Sequence, residues 1–139
     1  MAKIVLVFGT FDPLHAGHDD FFRQAKALGD YLLVVVARDD VIRQQKQREP
    51  FQREAVRRTN VAAAAPVDEA VLGDSQPHAY TIIRQRSFDI LAVGYDQTPT
   101  DDAIRTMLAA VGKASVPIVR LQAYKPEQYK SSYLRQGSA

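Results

Sequence analysis

The stretch best equipped for chemistry is Gly9-Thr10-Phe11-Asp12-Pro13-Leu14-His15-Ala16-Gly17-His18, which follows an apolar run at residues 4–8. Gly9 lets the backbone come close to a ligand, and Thr10 offers a hydroxyl and an amide at a strand end. Gly17 stands between His15 and His18, where the sequence pattern begins a helix. At that point unpaired helix N–H groups and the helix dipole favour an anion. Two imidazoles at the mouth of such a helix are placed to donate hydrogen bonds to phosphate oxygens. Histidines three apart also suit a metal, but the chain has no cysteine, and its remaining histidine, His78, lies far along in a polar loop. The phosphate reading is therefore preferred and no metal ligand is assigned. Neither a Walker A loop nor G-x-G-x-x-G occurs, so P-loop hydrolysis and ordinary dinucleotide binding lack support.

These residues need a scaffold. Short apolar runs at residues 4–8, 31–37, 67–72, 90–93 and 118–121 are rich in Val, Ile and Leu and read as the buried strands of a parallel sheet. Between the first two, Phe21, Phe22, Ala25 and Leu28 recur at helical spacing, and Gly29 follows where a left-handed cap is wanted. Residues 54–65 form an alanine-rich helix ended by Pro66, and residues 80–86 a shorter one. Thr100 caps a helix running from Asp101 to about Lys113. The alternation predicts an α/β fold, a doubly wound parallel five-stranded sheet, in one domain over residues 1–139. Ligands of such sheets sit outside the carboxyl ends of the strands, where the Gly9–His18 loop lies.

Composition narrows the partners. With 139 residues and 46% hydrophobic content the chain buries a core without disulfides. The absence of cysteine excludes thiol chemistry and suits a reducing compartment. The opening Met1-Ala2-Lys3-Ile4 runs straight into a strand and is read as structure, not a leader, so the expected address is cytoplasmic. No apolar run approaches the ~20 residues that span a bilayer. The formal charge is +2, but Arg43, Lys46, Arg48, Arg53, Arg57 and Arg58 lie close together, which favours a phosphorylated partner or forms a solvated helix face. No aromatic-interleaved basic stripe points to nucleic acid.

The decapeptide resembles the G-T-F-D-x-x-H-x-G-H signature of the cytidylyltransferase-like nucleotidyltransferases. That resemblance implies a Rossmann-like fold in which His15 and His18 bind a triphosphate and stabilise charge at its α-phosphorus. A phosphate monoester acceptor is already ionised, so it needs positioning and charge neutralisation, not a general base. Lys46 and Arg57 correspond by position to basic residues that hold phosphates in related enzymes. The resemblance thus gives His15, His18 and Lys46 catalytic roles and sets Gly9, Thr10, Phe11, Gly17 and Arg57 around the nucleotide.

Later stretches separate the branches of the family. Glycerol-3-phosphate cytidylyltransferases and related CTP-dependent enzymes carry R-T-x-G-I-S-T-T near the C-terminus. Here the corresponding Lys125-Pro126-Glu127-Gln128-Tyr129-Lys130-Ser131-Ser132-Tyr133 keeps only Ser131 and Ser132 as triphosphate contacts. The chain is more similar to the archaeal-type FAD synthases, through Val36-Ala37-Arg38-Asp39-Asp40, residues 66–73, residues 89–97 and Lys130-Ser131-Ser132-Tyr133. This similarity implies AMP transfer from ATP to FMN, with Gly94, Tyr95 and Asp96 beside the base and ribose. It also implies Mg²⁺ held largely by triphosphate oxygens and water, and a homodimer. A CTP-dependent enzyme and a catalytically silent nucleotide-binding regulator are the alternatives, and the intact His15 and His18 speak against the second.

Overall fold

Ile4–Gly9 (β1) and Tyr31–Val36 (β2) are almost wholly apolar, as strands covered on both faces must be. The computed structural model, which describes residues 2–75, 80–94 and 100–122, pairs them in parallel with Gly9 opposite Val36. Between them Ala16–Ala27 (α1) buries Phe22 and Ala25. The chain continues through Asp39–Lys46 (α2), Glu54–Ala62 (α3), Glu69–Leu72 (β3), Thr81–Gln85 (α4), Ile90–Val93 (β4), Asp101–Ala110 (α5) and Ile118–Arg120 (β5). The five strands lie in the order β3-β2-β1-β4-β5, all parallel.

Alternation along β1 divides the core. Val5 and Val7 pack with Phe11, Phe22 and Val61, so α1 and α3 cover one face of the sheet. Leu6 packs with Ile83, Leu91, Ile104 and Leu108, so α4 and α5 cover the other. Strand order reverses direction between β1 and β4, and the crevice outside the carboxyl ends of these two strands is where such sheets bind ligands.

The expected doubly wound sheet is present, with several local differences. β3 begins at Glu69, because Asp68 ends the preceding loop by accepting the Leu32 amide and the Lys26 ammonium. α2 escapes the apolar pattern because it buries Ile42 alone. Gly29 does not adopt the left-handed conformation; a Cβ there would lie 2.6 Å from the Lys3 carbonyl oxygen, so close approach explains the residue. Among the described residues the left-handed glycine is Gly112, at φ 79°, just beyond α5, which ends at Ala110 and not Lys113. α3 likewise stops at Ala62, before the expected residue 65, while Thr100 caps α5 as expected through the Ala103 amide. Among the described residues no helix is long and apolar enough to cross a membrane.

Candidate active site

His15 is the N-cap of α1, in extended conformation, and its Nδ1 accepts the Gly17 amide at 3.0 Å. His18, at the third helical position, accepts the His15 amide on its own Nδ1 at 3.2 Å. The two histidines thus form a capping box, the reciprocal arrangement that Ser or Thr and Glu usually make. Their rings stack with centroids 3.9 Å apart and an interplanar angle of 29°. Because each Nδ1 accepts a backbone N–H, each neutral ring carries its proton on Nε2. Burial pushes His18 down to about 3, assisted by the positive charges of a protonated His15 and Lys46. Burial also lowers His15, against an opposing pull from Asp19. At neutral pH both rings are therefore uncharged hydrogen-bond donors. The Gly17 amide, expected to face an anion, is instead committed to His15.

The loop leading into α1 is shaped by Phe11 and Asp12. Phe11, at φ 52°, is buried, and a Cβ on Gly9 would come within 2.8 Å of its ring. Gly9 is therefore needed to accommodate Phe11, where ligand approach is the expectation from sequence. The Phe11 ring meets His18 edge to face at 5.2 Å and packs on Phe21 and Phe22. The Phe11 side chain is buried and supports His18 and the core. Asp12, which precedes the cis Asp12–Pro13 peptide, was not singled out from the sequence, yet its carboxylate is fully buried. It accepts the Phe51 and Gln52 amides, each at 2.8 Å, and Arg48 Nη1 at 3.3 Å. An aspartate inside a chemically dense motif, between Phe11 and Pro13, is the signal the sequence offers.

Lys46, exposed at the end of α2, donates to the Thr10 hydroxyl at 3.4 Å, so a primary ammonium stands at the carboxyl end of β1. Arg57, expected on a substrate phosphate, is fully buried. Its guanidinium donates to the carbonyls of Gln52, Thr10 and Ala37 and to the Asp39 carboxylate. It ties together the ends of β1 and β2 and the start of α3, and so acts on the site through Thr10. Gly94 is at the end of β4, where Arg120 donates to its carbonyl at 2.8 Å. Tyr95, Asp96, Ser131 and Ser132 lie outside the described residues.

A cleft of about 380 Å³ opens beside His15, between Leu14, Asp19, Asn60 and Ala63. Its lining contains no lysine or arginine, and Lys46, described above, stands at Thr10. Among the described residues no three or more His, Asp or Glu side chains converge as a metal site.

The cytidylyltransferase-like family model matches residues 6–137. The chain is 38% identical to the FAD synthase of Thermococcus onnurineus over 132 residues, covering 95% of this chain and 88% of the relative. It is 42% identical to the FAD synthase of Korarchaeum cryptofilum over 124 residues, covering 87% and 82% respectively. Among solved structures, the lipopolysaccharide core biosynthesis protein from Thermoplasma volcanium superposes with a TM-score of 0.81 at 34% identity, covering 90% of this chain and all of that one. A protein of unknown function from Archaeoglobus fulgidus shares the fold with a TM-score of 0.70 at 24% identity, over 92% of this chain and 94% of its own length.

Proposed function

From the premise that this chain belongs to the cytidylyltransferase-like family, we propose that it is an FMN adenylyltransferase, forming FAD and pyrophosphate from ATP and FMN. The observation that carries the chemistry is the stacked His15–His18 pair, with both Nδ1 atoms fixed as acceptors at the carboxyl end of β1. The repeated FAD synthase relatives at 38% and 42% identity support the choice of substrates.

In this reading a phosphate oxygen of FMN attacks the α-phosphorus of ATP. A P–O bond to FMN forms as the bond from the α-phosphorus to its bridging oxygen breaks, and the electron pair leaves with pyrophosphate. Charge grows on the non-bridging α-oxygens, and neutral Nε2–H groups of His15 and His18 donate to them. Uncharged donors held by backbone hydrogen bonds need no reorganisation as that charge develops. Lys46, beside Thr10, neutralises and aligns the acceptor phosphate. Arg57 fixes the Thr10 carbonyl and so the end of β1. Mg²⁺, carried by the triphosphate, would supply further charge neutralisation, and no protein side chain is assigned to hold it.

Gly94, Tyr95, Asp96, Ser131 and Ser132 are proposed nucleotide contacts on the family resemblance. A homodimer is proposed on the same ground; sedimentation at 15.5 kDa across working concentrations would exclude it. The substrate assignment is tested by pyrophosphate release from ATP or CTP against FMN and glycerol 3-phosphate in turn. Release with ATP and FMN alone supports it, release with CTP and glycerol 3-phosphate alone moves the enzyme to the CTP-dependent branch, and no release with any pair favours a silent regulator.

A further inference from the structure

We propose that Phe51, with Arg48 beside it, is the platform on which the flat heteroaromatic ring of the acceptor packs. The inference rests on the FMN reading above. Phe51 lies in the segment joining α2 to α3 and is 60% exposed, the most exposed large hydrophobic side chain among the described residues. An exposed phenyl ring on a frayed loop would mean little. This one is fixed: its amide donates to Asp12, the next amide donates to the other Asp12 oxygen, and the Gln52 carbonyl accepts Arg57 Nε at 2.9 Å.

Those anchors tie the ring to the catalytic loop. Asp12 stands two residues from Thr10, a step of at most about 7 Å, and Thr10 receives Lys46. Lys46 and the Phe51 ring are thus both tied to the loop that follows β1, Lys46 through Thr10 and Phe51 through Asp12. The Arg48 guanidinium carbon lies 4.8 Å from the Phe51 ring centroid. Two side-chain atoms in this segment are buried without a hydrogen-bond partner, the Arg48 Nη2 donor and the Gln52 Oε1 acceptor. A native protein seldom leaves such groups unmet. A planar ring edged with carbonyls and an N–H offers a partner to each after a rotamer change.

The test compares wild type, Phe51→Ala and Phe51→Trp, varying FMN at saturating ATP and ATP at saturating FMN. Removing one aromatic contact should raise the KM for FMN about three- to tenfold, with the KM for ATP unchanged and the same thermal midpoint. Phe51→Trp should keep the low KM and quench flavin emission when FMN binds. An unchanged KM for FMN in Phe51→Ala, or a rise confined to ATP, overturns the platform while leaving FAD synthesis intact. Wild type that makes no FAD overturns the FMN reading itself, and the platform with it.

Discussion

The Nδ1 of His15 accepts an amide from Gly17, and the Nδ1 of His18 accepts the amide of His15, so each imidazole is locked by the backbone it caps. Capping occupies Nδ1 and the proposed chemistry falls to Nε2 of the same ring. That separation makes the two roles individually removable.

His18→Asn places an amide oxygen near the position of Nδ1 and removes Nε2, while His18→Gln reaches the position of Nε2 and gives up the cap. The Asn variant should keep wild-type stability and lose about 10²-fold or more in kcat, the loss seen on removing a preorganised donor. The Gln variant should lose about 1 kcal/mol of stability and retain more turnover than Asn. Urea unfolding and steady-state kinetics on both variants check this; equal turnover in the two would dissociate Nε2 from the chemistry.

The buried neutral state of His18 also predicts acid sensitivity. In the unfolded chain a histidine titrates near 6.5, but in the folded protein burial holds His18 down at about 3. Below the unfolded value the unfolded chain takes up a proton that the folded chain refuses, so stability falls as pH drops from 6.5 toward 3. The slope from one such group is at most about 1.4 kcal/mol per pH unit. Glu69, lowered from 4.5 to about 2 by the Arg86 hydrogen bonds, adds its loss only below its ordinary range. The interval between those ranges therefore reports the histidines, and urea midpoints there should fall less steeply for His18→Asn than for wild type.

Lys46 and Arg57 should separate cleanly. Lys46→Ala removes an exposed ammonium, so stability should stay within about 0.5 kcal/mol while kcat/KM for FMN falls on the order of 10- to 100-fold. Arg57→Met strips the partner from Asp39 and from three carbonyls, and should cost about 3 kcal/mol or more. Arg57→Lys should not restore it, because one ammonium cannot reproduce a four-way fork. Thermal melts beside FMN titrations of kinetics distinguish the two outcomes.

Much of this was legible in the residues. The five strands were plain because a sheet covered on both faces demands runs such as Tyr31–Val36 with hardly a polar residue. The meeting of His15 and His18 at the start of α1 is legible from their spacing beside Gly17, and their rings do stack there. Their mutual capping was not legible, since Nδ1 acceptance depends on φ and ψ at His15. Arg57 looked like its neighbours in a basic cluster, and only the convergence of Thr10, Ala37 and Gln52 carbonyls on it shows a buried brace. Gly9 and Phe11 were both read toward ligand, whereas the positive φ of Phe11 folds its ring over Gly9. α2 was missed because a helix burying Ile42 alone gives almost no periodic signal.

The most direct test of the proposed reaction follows the oxygen atoms. FMN labelled with ¹⁸O in its three terminal phosphate oxygens is incubated with ATP, Mg²⁺ and the protein, and both products are analysed by mass spectrometry. Attack by FMN on the α-phosphorus predicts FAD that retains all three labelled oxygens and pyrophosphate that carries none. Label in pyrophosphate, or no FAD at all, would contradict the account.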